Sequence, residues 1–215
     1  MDTSSETESK NIPPNPLVNL VKNADASFTH RKEHPYMKFH YKNHKNIKKS
    51  LQNFISSRFA MTVLGGASRT RFNLHQENPR PDCLEEILMF LNVCMHETCV
   101  RFSAGQTGEK IDPSTHHLNF DPNKFVLAEC WGIQYKQNEG VTTHNHFPYI
   151  LSWTYNIHTP TGSAPLVLDQ PSGSIDIPAE EGSLVIFLGS KFHKVIPQDQ
   201  KGDDRCCLIG NVSYG

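Results

Sequence analysis

Three histidines and one arginine in the C-terminal third have the types and spacing to do chemistry. Thr142-Thr143-His144-Asn145-His146-Phe147-Pro148 sets two imidazoles two residues apart, His193 follows His146 by 47 residues, and Arg205 comes 12 residues after that. Side chains repeat with period two along a β-strand, so His144 and His146 share a face if their segment is extended. Two neutral nitrogen donors on one face, with a third from a distant strand, can cap one side of a divalent metal. Imidazole suits zinc, copper, iron and nickel. The ligands must be neutral to bind, so metal affinity is expected to fall below about pH 6. A guanidinium beside such a centre can hold a carboxylate through two parallel charge-assisted hydrogen bonds. A His-x-His pair, His193 or Arg205 alone would each be a weak signal. Their joint spacing within strand-like segments is what points to a metalloenzyme.

Strands must supply that frame. From about Lys124 the hydrophobic period changes to two, and Phe125–Tyr135, Tyr149–Ile157, Leu166–Leu168, Ser172–Ile177, Ser183–Leu188 and Cys206–Val212 read as strands punctuated by Gly, Pro, Asn and Asp. Six or more short strands at regular intervals suggest a β-sandwich or jelly roll. Helices come first. Ile47, Leu51, Phe54 and Ile55 fall at helical spacing within Lys42–Arg58, leaving Lys42, Lys45, Lys48 and Lys49 as a solvated face. Asp82 with Glu85 resembles a capping box ahead of a long helix over Cys83–Phe102. The fold class is therefore mainly β with N-terminal helices. The expected organisation is a disordered tail over 1–15, a helical supporting region over 16–123 and a β core over 124–215, forming one compact domain.

Composition narrows the function classes. The chain has 215 residues, a formal net charge of −1 and 37% hydrophobic residues, with a pI near 6.9. There is no basic excess to suggest nucleic-acid binding. No apolar run reaches a membrane span, and the N-terminus does not read as a signal peptide. Cys83, Cys94, Cys99, Cys130, Cys206 and Cys207 form no C-x2-C pair. They read as reduced, buried thiols of a cytoplasmic protein.

The order His-x-His, about 50 residues, His, about 10 residues, Arg resembles the Fe(II)- and 2-oxoglutarate-dependent oxygenases, in particular their prolyl-hydroxylase-like branch. The resemblance covers roughly Trp131–Ser213 and includes Pro178-Ala-Glu-Glu-Gly182 before the strand that leads to His193. It implies a double-stranded β-helix, with His144, His146 and His193 as metal ligands. It also implies Fe(II), with 2-oxoglutarate and O2 as co-substrates. Arg205 would bind the distal carboxylate of 2-oxoglutarate, and Tyr155 would occupy the place of the family's clamp tyrosine. Cys207 stands where the family often has the serine of Arg-x-Ser. Trp131 and Asn211 are further candidates to line the co-substrate pocket. The implied reaction is hydroxylation of a C–H bond, with release of succinate and CO2.

His146 departs from the pattern, because the family has a carboxylate there. A three-histidine centre carries one more net positive charge than the usual one, which should shift redox potential and metal preference. Three other readings follow from this. Asp169 reaches in as the carboxylate ligand. The chain is a cupin-like three-histidine metalloenzyme that does not use 2-oxoglutarate. Or it is a non-catalytic jelly-roll module with a vestigial site. The expected partner is a small-molecule or peptide substrate, chosen by loops around Gln137–Thr143 and His158–Ser163 and by the N-terminal half. The assembly is read as a monomer or homodimer.

Overall fold

Spacing of apolar residues builds the two helices that carry the sheet. A computed structural model describes residues 24–25, 36–63, 65–103 and 122–215. Helix α1 (His44–Ser56) buries Ile47, Leu51 and Ile55, together with His44, along one stripe. Its Lys45 and Lys49 stay exposed. Helix α2 (Asp82–Ser103) begins at Asp82 itself, which lies with Glu85 in the first turn, where negative charge favours the helix dipole. Its Leu84, Ile87, Phe90 and Leu91 are buried.

Twelve strands form two sheets among the described residues. They are β1 (Ala24–Asp25), β2 (Tyr36–Tyr41), β3 (Met61–Thr62), β4 (Ser68–Arg69), β5 (Phe125–Tyr135), β6 (Val141–His144), β7 (Leu151–His158), β8 (Leu166–Gln170), β9 (Gly173–Ile177), β10 (Ser183–Leu188), β11 (His193–Val195) and β12 (Arg205–Tyr214). The larger sheet has eight strands in the order β1-β2-β10-β7-β12-β5-β4-β3, and the smaller has four in the order β6-β11-β8-β9. All pairings within these sheets are antiparallel.

The large sheet is covered on both faces, so β7 is buried along almost its whole length. Leu151, Trp153, Tyr155 and Ile157 join Leu51, Ile55, Leu84, Ile87 and Phe90 in a helix-side core. Trp131, Ile133, Tyr135, Phe187 and Cys207 pack with Leu166, Leu168 and Val195 of the small sheet in a second core. Each fully buried aliphatic side chain contributes roughly 1.5–3 kcal/mol. Gly132 lets α1 approach: a Cβ there would fall inside the Ile55 side chain.

Helices α1 and α2 lie ahead of β5–β12, and four strands, β1–β4, also fall within the segment read as helical from the sequence. The hairpin β3–β4 and strand β2 carry too few periodic residues to be read as strands, yet they extend the large sheet at its two ends. The expected tail over residues 1–15 lies outside the described residues. All six cysteines are free and buried. Among the described residues, no helix is long and apolar enough to cross a membrane.

Candidate metal centre and anion clamp

Strand pairing of β6 with β11 brings the histidines together. His144 ends β6 and lies directly opposite His193, the first residue of β11. His146 sits just beyond β6, where its backbone N–H donates to the Gly189 carbonyl at 2.7 Å. The His-x-His pair is therefore only half on a strand, but the two rings still converge, with centroids 5.0 Å apart. The His144 and His193 rings lie 4.3 Å apart. His146 Nε2 and His193 Nε2 are 3.2 Å apart, and one nitrogen from each of the three rings falls within 4.8 Å of the others.

The surroundings prepare two of these three nitrogens for a cation. The Nδ1–H of His144 points at the Thr142 carbonyl, 2.8 Å away, and that of His193 at the Lys191 carbonyl, 3.0 Å away. Each bond assigns the proton to Nδ1 and leaves the Nε2 lone pair free, the usual way a protein orients an imidazole ligand. Behind His146, the Asn211 amide nitrogen donates to Nδ1 at 3.1 Å, so the neutral ring carries its proton on Nε2, the nitrogen that faces His193. The same amide donates to Glu129 Oε2 at 2.7 Å, and its oxygen accepts from Ser152 Oγ at 2.7 Å. Burial, reinforced by the neighbouring His144, lowers the His146 pKa to about 4. The same two causes, opposed by the Lys191 carbonyl, lower His193 to about 3. These two imidazoles stay neutral well below the pH 6 expected from an ordinary histidine. His144 and His193 thus present free Nε2 lone pairs, and the three-nitrogen set fits a divalent metal of borderline softness once the His146 proton moves from Nε2 to Nδ1.

Arg205 occupies the far end of the same cavity, whose volume is about 620 Å³. It begins β12 and is only 2% exposed. Its Nη1 donates to the Ala164 carbonyl at 2.6 Å and its Nη2 to Asn156 Oδ1 at 3.1 Å. Its Nε has no partner among the described residues. Both acceptors are neutral, so a buried positive charge stands without a described carboxylate beside it. An unpaired buried charge is costly, and an anionic ligand would supply both the missing charge and the missing acceptor.

The remaining sequence candidates separate into groups. Trp131 lines the cavity, but beside the metal end, with its ring 5.8 Å from that of His146. Tyr155 is a correction. Its hydroxyl lies 2.7 Å from His44 Nδ1 in the helix-side core, because β7 turns Thr154 and Asn156, not Tyr155, toward Arg205 and the cavity. The aromatic residue beside Arg205 is instead Tyr135, directly opposite it on β5, with its ring centre 5.3 Å from the guanidinium carbon. Asn211 is a second correction, since it contacts His146 and not the Arg205 end of the cavity. Cys207 is a third. Its Sγ lies 3.4 Å from Asn156 Oδ1, and it packs behind the clamp without lining the cavity. Asp169 is not part of the histidine cluster, although its charge acts on His193. Leu168 takes the inward place on β8, while Asp169 lies 3.4 Å from Ser174 Oγ.

Sequence reading missed Tyr135, Glu129, Arg69 and Phe72, all of which line the cavity. A parity signal was present for two of them. Glu129, Trp131, Ile133 and Tyr135 alternate along β5, so placing Trp131 inward places the others inward too. Arg69 and Phe72 gave no such signal, because β3–β4 is too short to show a period. Of the expected substrate loops, Val141 and Thr142 line the cavity and residues 158–163 do not.

No protein-family model matches the chain, and no curated protein matches it. Solved structures do. A Pseudomonas putida prolyl-4-hydroxylase is 14% identical with a TM-score of 0.58, the match covering 93% of this chain and 99% of that one. A Burkholderia pseudomallei oxidoreductase of the 2OG-Fe(II) oxygenase family is 11% identical with a TM-score of 0.57, covering 94% and 92%. A non-heme alpha-ketoglutarate-dependent carbocyclase from nogalamycin biosynthesis is 7% identical with a TM-score of 0.60, covering 85% and 81%. At these identities the likeness is one of fold: the chain has the double-stranded β-helix fold of the prolyl hydroxylases and other 2OG-Fe(II) oxygenases.

Proposed function

We propose that this protein is an Fe(II)- and 2-oxoglutarate-dependent oxygenase that hydroxylates a C–H bond, converting 2-oxoglutarate and O2 to succinate and CO2. One observation carries the reading: a buried, uncompensated Arg205 shares a cavity with three convergent imidazole nitrogens. His144, His146 and His193 would hold the metal. Arg205 would hold the distal carboxylate of 2-oxoglutarate, with the Tyr135 hydroxyl beside it. When bound, the iron and 2-oxoglutarate supply the oxidising chemistry. The protein's own residues orient and shield. Thr142 and Lys191 carbonyls fix the tautomers of His144 and His193. Asn156 and Ala164 hold the guanidinium plane. Trp131, Phe187 and Ile209 keep the wall between clamp and histidines apolar, which limits water near the reacting groups.

The three-histidine set is the one departure from the pattern of that family. The Glu129 carboxylate stands behind His146, where both accept from the Asn211 amide nitrogen. Six buried thiols fit work in a reducing, cytoplasmic compartment. The test is titration of 2-oxoglutarate into Zn(II)-loaded protein by calorimetry, paired with succinate formation under Fe(II) and O2. The expected result is stoichiometric binding that Arg205→Met weakens by at least about tenfold, as loss of a charge-assisted pair requires. Absence of 2-oxoglutarate binding to protein that retains the metal would overturn the reading and leave a three-histidine enzyme of another kind.

A further inference from the structure

The cavity holds a second arginine that the clamp does not use. Arg69 ends β4 and lies directly opposite Ile133 of β5, so its side chain stands on the cavity face of the sheet. Its guanidinium carbon lies 3.9 Å above the centre of the Phe72 ring. The one hydrogen bond of its guanidinium among the described residues runs from Nη1 to the Thr70 carbonyl at 3.1 Å. No described carboxylate pairs with it. Glu129, the carboxylate in the cavity lining, is held by Asn211 instead.

Aromatic rings connect this cation to the metal end. Phe72 meets Trp131 edge to face at 4.9 Å, and Trp131 lies against His146. Met61, opposite Arg69 in the hairpin, is 50% exposed and Phe72 is 40% exposed, although both line the cavity. The hairpin therefore adds an apolar surface, and a cation with no carboxylate partner among the described residues, to the cavity wall, separated from Arg205 on β12 by the intervening strand β5. The hairpin is also fastened in place. Gly140 N–H donates to the Gly65 carbonyl at 2.9 Å, and Thr70 N–H donates to the Gly132 carbonyl at 3.0 Å. A cavity of about 620 Å³ lies in the size range of small-molecule sites.

We propose that Arg69 and Phe72 form a substrate-anion subsite, and that the substrate is a small carboxylate with an apolar body. The carboxylate pairs with Arg69, while the hydrocarbon part lies along Phe72, Met61 and Trp131 and leads toward the three histidines. The stacked guanidinium is preorganised, because Phe72 fixes its plane and leaves Nε and Nη2 to a ligand. The assignment rests on the oxygenase reading only in giving Arg205 to 2-oxoglutarate.

The test measures binding to protein loaded with Zn(II) and saturating 2-oxoglutarate, with hexanoate and hexan-1-ol as probes of equal chain length. Hexanoate is expected to bind at least about tenfold more tightly than the alcohol, the usual size of a charge-assisted contact. Arg69→Met, which keeps a long apolar stem over Phe72, should erase that preference. Arg69→Lys should restore part of it. Equal binding of the two probes, or a preference that survives in R69M, overturns the subsite. Failure of 2-oxoglutarate to bind overturns the oxygenase reading separately. The same comparison is then made in R205M, where Arg69 is the remaining cavity arginine. A preference there that vanishes in the R69M/R205M pair supports the subsite, and no preference in R205M refutes it.

Discussion

Each imidazole in the centre is held by a specific neighbour, and the three neighbours differ. His144 and His193 rely on backbone carbonyls of their own segments, which no side-chain substitution removes. His146 relies on Asn211, a side chain from β12. It is therefore the ligand whose hydrogen-bond partner can be removed genetically. Asn211→Ala is expected to strengthen Zn(II) binding by about tenfold, because it removes the donor to Nδ1 that keeps the His146 proton on Nε2. Competition against a chromophoric chelator reads this directly, and a thermal melt of the metal-free variant separates it from loss of fold. At Arg205 the contrast is between neutral acceptors already present and a missing anion. This is why R205M should lose 2-oxoglutarate while leaving metal binding intact.

Elements set which of these residues meet. The β6–β11 register puts His144 opposite His193, and the β5–β12 register puts Tyr135 opposite Arg205 and Glu129 opposite Asn211. The inner faces of β5 and β12 thus run from clamp to metal centre. Helix α1 holds that surface from behind at Gly132, the point where no side chain separates strand from helix. Gly132→Ala would force Ile55 or the helix itself to move. It should cost about 1–3 kcal/mol, as overpacking typically does, measured as a lowered urea midpoint. A loss in that range with 2-oxoglutarate affinity also reduced would show that the helix positions the clamp. Much of this layer was legible in the sequence, since α1, α2, β5, β7, β10 and β12 all carry clear periodicity. The short strands β3, β4 and β11 do not, because two or three residues cannot display a period.

At the scale of the whole molecule, burial of the centre links its protonation to folding. His146 and His193 have folded pKa values of about 4 and about 3, below the value near 6.5 of an unfolded histidine. The unfolded chain therefore binds more protons between those limits. Stability from this source is complete above about pH 6.5 and is lost as pH falls toward 4 and then 3. Glu181 adds to the same acid limb at lower pH. Burial raises its pKa, but hydrogen bonds from Lys48, His158 and the Thr159 backbone outweigh burial and lower it to about 2. Denaturant midpoints of the metal-free protein are expected to decline from pH 7 to pH 4. In His193→Gln, which cannot take up the proton, the decline should be shallower. An unchanged slope would show that His193 does not contribute to the acid limb.

The amino-acid sequence by itself determined the chemistry on offer: three imidazoles, one arginine, and strand-forming segments able to hold them. Those features are local, because ligand type, spacing and hydrophobic period are all properties of neighbouring residues. Tertiary structure decided which side chains share the cavity. Tyr155 and Tyr135 are both strand tyrosines, and only the parity of β7 and β5 against the two packed layers sends one to the helices and the other to Arg205. A shift of one residue exchanges the two faces of a strand, and nothing in a single segment states which face the rest of the chain will cover. Asn211, Glu129 and Arg69 entered the site for the same reason, through long-range pairing that brings distant strands into one wall.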